Sequence, residues 1–130
     1  KGMIFVSCYC SPNESMQVFD QMLDEIRFVV TQEKNNIVIC GDFNAKSYLW
    51  SSGSEDARGK SLVETTDTLD LRLVNEGNTA TCVRTQGSSI VDTTWSTADI
   101  FMNIQNWRVE EDEISLSDHR YIAFSVTDDN

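Results

Sequence analysis

One proline, Pro12, and six glycines are all this sequence spends on the two strongest chain breakers, which excludes collagen-like, proline-rich and low-complexity classes. Histidine is scarcer in the places that matter, because His119 stands alone. With one imidazole and no CxxC pair among Cys8, Cys10, Cys40 and Cys82, no zinc module can be assembled. The cysteines therefore read as reduced and structural. No apolar run approaches the eighteen or so residues of a membrane helix, so a membrane is not an expected partner and the expected location is intracellular. Positive charge is also short: 10 Lys and Arg face 21 Asp and Glu, a net charge of −11. Such a surface repels polyanions, so nucleic-acid binding would require a metal ion or a local basic patch.

What remains is an ordinary globular composition, 40% hydrophobic and 24% charged over 130 residues, enough chain for one core. Residues 3–9 are short, β-branched and aromatic, the signature of a strand. After Pro12 and Asn13, the apolar residues Phe19, Met22, Leu23, Ile26 and Val30 recur at helical spacing, predicting a helix that ends near 33–36. The continuous apolar run at 37–40 predicts a strand buried on both faces, and a strand, crossover helix and buried strand predict a parallel pair. Gly41 ends that strand, so residues 42–44 fall at a carboxyl end, where α/β folds place their chemistry.

Downstream, residues 45–58 read as a polar functional loop, and 59–73 as a second helix with Leu62, Thr66, Leu69 and Leu73 on one side. Short strands fit 80–84, 89–94, 107–110 and 121–126, and the acidic run 110–113 reads as a solvated loop. The fold class is α/β.

Three clusters carry chemistry. Asp42 and Asn44 project a carboxylate and a carboxamide from a strand end. Ser117-Asp118-His119-Arg120 sets the only imidazole beside an acid, and Asp92 is a lone acid inside an uncharged strand. Each has a plainer reading. Asp42 and Asn44 suit a turn, His119 suits a structural role, and Asp92 could cap a bulge or meet Arg84. Unpaired burial of Asp92 would cost several kcal/mol, so it needs a partner. Asp92 and His119 can pair as carboxylate and imidazole, fixing the ring's tautomer. Alongside Asp42, Asn44 and Asp118, they offer oxygens for a hard cation, a base for water and a cation for a phosphate oxygen. This is an inventory for phosphoester hydrolysis.

The order and wording of these clusters resemble the endonuclease/exonuclease/phosphatase superfamily, through Tyr9 in Cys8-Tyr9-Cys10-Ser11-Pro12-Asn13, Gly41-Asp42-Phe43-Asn44 and Ser117-Asp118-His119. Within it, Trp50, Arg58-Gly59 with Leu62, Asn75, Asp92-Thr93-Thr94-Trp95 and Trp107-Arg108-Val109 resemble the endonuclease domain of non-LTR retrotransposons. The resemblance implies that Asp42 activates the attacking water and Asn44 positions it. It implies that His119, held by Asp92, contacts the scissile phosphate, with Tyr9 nearby. Asp118 and Asp42 would help hold Mg²⁺ or Mn²⁺. DNA would be nicked in the nucleus so that a reverse transcriptase can prime on the freed 3′ hydroxyl. The cations near the site, Lys46, Arg58, Lys60, Arg84 and Arg120, are the expected DNA contacts.

The family's domain begins with an N-terminal sheet that bears its main metal-binding glutamate, and nothing matching it precedes Lys1. The expectation is a single domain over 1–130 that forms the C-terminal portion of the family's domain. Its fold is half of a four-layer α/β sandwich, a mixed sheet with helices on one face. Alone, it should cleave DNA poorly or not at all. A bared sheet face would then call for the missing half, or for self-association. Two other readings compete: a non-catalytic binding or assembly module, and a phosphatase acting on a lipid or inositol phosphate.

Overall fold

The computed structural model describes residues 2–113 and 115–127. Strand β1 (Ile4–Tyr9) leads through Pro12 into helix α1 (Met16–Glu33), whose N-cap Ser15 accepts the Val18 amide. Helix α1 buries Phe19, Leu23, Ile26 and Val30, the stripe that the sequence spacing sets. Strand β2 (Ile37–Asp42) then lies parallel to β1 in unbroken register from Ile4 opposite Ile37 to Tyr9 opposite Asp42.

Helix α2 (Ala57–Thr68) is shorter than the expected 59–73. Asp70 turns the chain with φ 57°, and Leu71–Leu73 forms strand β3 instead, paired with β6 (Asp92–Thr97). The alternation Leu71-Arg72-Leu73 is a strand period that a helical count over Leu69 and Leu73 absorbs. The expected strand at 89–94 also divides. Gly87–Ser89 forms β5, which pairs with β4 (Cys82–Arg84), and buried Ile90 and Val91 carry the chain into β6. The last two strands, β7 (Ile104–Glu110) and β8 (Tyr121–Val126), form an antiparallel pair.

The main sheet is mixed, in the order β1-β2-β6-β3. One face is packed by both helices, and Ile37, Ile39, Trp95 and Leu71 meet Phe19, Leu23, Ile26 and Leu62 in a continuous core. Trp50 closes the core edge-on against Trp95, with centroids 5.9 Å apart. The opposite face carries β7 and β8, where the Trp107 indole donates to Thr94 Oγ1 at 3.1 Å. The result is helices, sheet and a second, two-stranded layer, an α/β half-sandwich. The face under β7 and β8 is less apolar than a bared core would be, because Ser7, Thr94 and Ser96 alternate with Phe5, Val38 and Cys40.

One glycine is demanded by close approach. A Cβ on Gly41 would lie 2.3 Å from the Cys8 carbonyl oxygen of β1, so no other residue fits at that point of β2. All four cysteines are free thiols.

Candidate active site

Asp42 is the last residue of β2. It stands opposite Tyr9 of β1 on one side and Asp92, the first residue of β6, on the other. Register partners point to the same face, so Tyr9, Asp42 and Asp92 form a row across three strands. It lies at the carboxyl ends of the two parallel strands, on the face away from the helices.

His119 closes over this row. Its Nδ1 lies 2.8 Å from Asp92 Oδ2 and its Nε2 lies 3.2 Å from Asp42 Oδ2. A ring protonated on both nitrogens therefore donates to both carboxylates. All three side chains are largely sheltered, with 26% of His119, 14% of Asp42 and 15% of Asp92 exposed. The other Asp42 oxygen accepts the Asn44 amide at 3.0 Å, and the Asn44 carboxamide donates to the Cys10 carbonyl at 2.9 Å. Burial pushes the Asp42 carboxyl above its ordinary value and the neighbouring Asp92 charge adds to this. The Asn44 amide, His119 and Arg84 pull the other way.

The backbone around these groups is fixed by side chains that sequence reasoning gave no role. Asn75 receives the Thr94 amide at 2.7 Å and donates to the Asp92 carbonyl at 3.0 Å, extending β3 with a side chain in place of a strand. Buried Thr81 accepts the Val91 and Asp92 amides. The 118–120 segment pairs with β4: Val83 donates to the Asp118 carbonyl, and Arg120 to that of Thr81. No pattern in the sequence marks Thr81, and Asn75 is marked only by the family resemblance.

The remaining expected site residues divide. Tyr9 is 68% exposed at the end of the row. Asp118 does not join the cluster formed by Asp42, Asp92 and His119, because its carboxylate meets Arg84 Nε at 3.1 Å. Lys46 and Arg84 line an open groove of about 420 Å³ next to Asn44, and Lys60 is exposed on α2. Arg120 spends one nitrogen on the Ala80 carbonyl. Arg58 borders the same groove but is only 9% exposed, and its guanidinium donates to four backbone carbonyls.

The half-sandwich, with two carboxylates and an imidazole at its strand ends, has the fold of nucleases. Residues 3–123 match the family described as endonuclease-reverse transcriptase, and the chain belongs to that family. Its fold matches the endonuclease domain of TRAS1, a telomere-specific non-LTR retrotransposon, with a TM-score of 0.83 and 36% identity. That match covers 91% of this chain and 52% of the TRAS1 chain. A 3'-5' exonuclease, NExo from Neisseria meningitidis, shares the fold with a TM-score of 0.72 at 17% identity, over 94% of this chain and 60% of its own. The chain thus spans between half and two thirds of the length of these two solved structures. No curated protein matches it.

Proposed function

We propose that this chain is the part of a divalent-metal-dependent DNA endonuclease of the retrotransposon type that holds the proton-transfer residues. The observation that carries the reading is the Tyr9, Asp42, Asp92 row closed by His119, within the fold of a nuclease family. In this reading Asp42 takes a proton from the attacking water and Asn44 helps to orient it. The water oxygen bonds to phosphorus, the bond from phosphorus to the 3′ oxygen breaks, and that oxygen leaves and takes a proton from solvent to become a hydroxyl. His119, oriented by Asp92 through Nδ1, shifts its Nε2–H from Asp42 to the phosphoryl oxygen that gains charge, which frees that Asp42 oxygen for the water, and Tyr9 borders the same position. In this reading the freed 3′ end serves as the primer a reverse transcriptase needs, and the work belongs in the nucleus.

The donor set suits a hard cation in part. Asp42 and Asp92 offer oxygens within one cluster and Asp118 would have to turn from Arg84 to join them, whereas both nitrogens of His119 already face carboxylates. Mg²⁺ or Mn²⁺, which keep several waters, fit such a partial set. When bound, the ion neutralises phosphate charge and stabilises the leaving oxygen. Lys46 and Arg84 are the cations available to the DNA backbone along the groove.

The partner completing the site is an N-terminal half like that of the TRAS1 domain, with a second copy of this chain as the competing occupant. The test is nicking of supercoiled plasmid with Mg²⁺, set against hydrolysis of a phosphomonoester, by the chain alone and supplied with the TRAS1 N-terminal half. We expect nicking only with both halves, and its loss in Asp42→Ala and His119→Ala. An inert complemented chain favours a binding or assembly module, and preference for the monoester favours a phosphatase; either overturns the proposal.

A further inference from the structure

Arg58 lies at the second residue of α2, and its guanidinium reaches two separate loops. Nη1 donates to the carbonyls of Cys10 (3.3 Å) and Phe43 (3.1 Å), and Nη2 to those of Ser11 (2.7 Å) and Glu14 (2.9 Å). The first loop follows Tyr9, and the Phe43 carbonyl sits between Asp42 and Asn44. The guanidinium also rests over the Phe19 ring at 5.1 Å. Among the described residues no carboxylate pairs with it, so a buried charge is carried by neutral carbonyls alone. Burying a charge without a counter-ion is costly, and simple packing of α2 would be served by an aliphatic side chain. What only a planar fork provides is a fixed separation between several acceptors.

One of those acceptors is shared with the site. The Asn44 carboxamide donates to the same Cys10 carbonyl, and Asn44 holds a positive φ of 47°. The start of α2 grips the same segment two residues on. Asp56 Oδ1 accepts the Lys46 and Gly59 amides, and the Asp56 amide donates to the Lys46 carbonyl. A Cβ on Gly59 would stand 1.8 Å from that carbonyl oxygen, so this docking requires glycine.

We infer that Arg58 is a positioning residue that acts through Asn44: by tying the Phe43 and Cys10 carbonyls together, its guanidinium fixes the Asn44 carboxamide beside Asp42. The consequence for turnover rests on the hydrolase reading above, whereas the placement itself does not. The test compares Arg58→Lys, Asn44→Gly and the double variant; glycine keeps the positive φ without strain. In the 130-residue chain, NMR of Arg58→Lys should show displaced Asn44 carboxamide signals. Their exchange should be roughly ten-fold faster, with His119 ring signals unmoved and the cooperative urea transition retained.

In the complemented nuclease, kcat should fall on the order of 10²-fold with KM unchanged. The double variant should be no slower than Asn44→Gly alone. Unmoved Asn44 signals in Arg58→Lys, or additive losses in the double variant, overturn the inference. If the lysine chain does not fold, Arg58→Gln, which keeps an amide donor, takes its place in the same comparison. A wild type that never nicks removes the hydrolase reading while the NMR comparison still decides Arg58.

Discussion

At the scale of single residues, the Asp42 carboxyl is pushed above its ordinary value, since burial and the Asp92 charge together outweigh three favourable contacts. A carboxyl whose folded pKa is raised costs stability once ionised. That cost is absent below the ordinary carboxylate range, grows as pH rises from there, and is complete above the folded value. Asp42→Asn should therefore raise the urea midpoint at neutral pH, and the gain should vanish as pH is lowered through the acid range, while nicking is lost. Asp92→Ala should leave the chain folded but cut nicking on the order of 10²-fold, because the ring loses the carboxylate that orients it. Cys8 gives a separate check. Burial first, then the Cys40 and Glu25 charges, push its thiol up to about 11. At pH 8 about one thiol in a thousand is ionised, so iodoacetamide should spare Cys8 in the folded chain and modify it after denaturation.

At the scale of elements, α2 is a mould for the segment after β2, and the hairpin of β4 and β5 is a strap for the segment that carries His119. Gly59→Ala should lower stability by about 1–3 kcal/mol in urea titrations, because its methyl meets backbone rather than a yielding side chain. Arg84→Ala should weaken substrate binding in a salt-dependent way, reducing the salt slope by about one, with kcat nearly unchanged.

These elements also show how far the sequence reaches. The stripe of α1 and the apolar run of β2 are local periodicities, and both predict the structure closely. The end of α2 is not legible, because a left-handed turn at Asp70 leaves no mark on apolar spacing. The Asp92 and His119 pairing was legible because a lone acid in a strand demands a partner. The roles of Arg58, Asn75 and Thr81 were not, because a side chain that bonds distant backbone carries no period at all.

At the scale of the whole molecule, β1 is an edge of the main sheet, with Phe5 and Tyr9 61% and 68% exposed on the face that β7 and β8 only partly cover. Unpaired edges invite pairing with another chain. Light scattering at high micromolar concentration should show association for the chain alone, and a one-to-one complex once the TRAS1 N-terminal half is supplied. A monodisperse monomer under both conditions would mean that neither occupant uses this surface.

The missing side chain at Gly41 gives the sheet a mechanical stop. Sliding β2 by one residue along β1 would drive either a thiol or a carboxylate into the Cys8 carbonyl, and would also turn Asp42 toward the helices. A misaligned fold is thus penalised at the same place where it would be chemically useless. Proofreading of strand alignment and assembly of the reactive groups are one event.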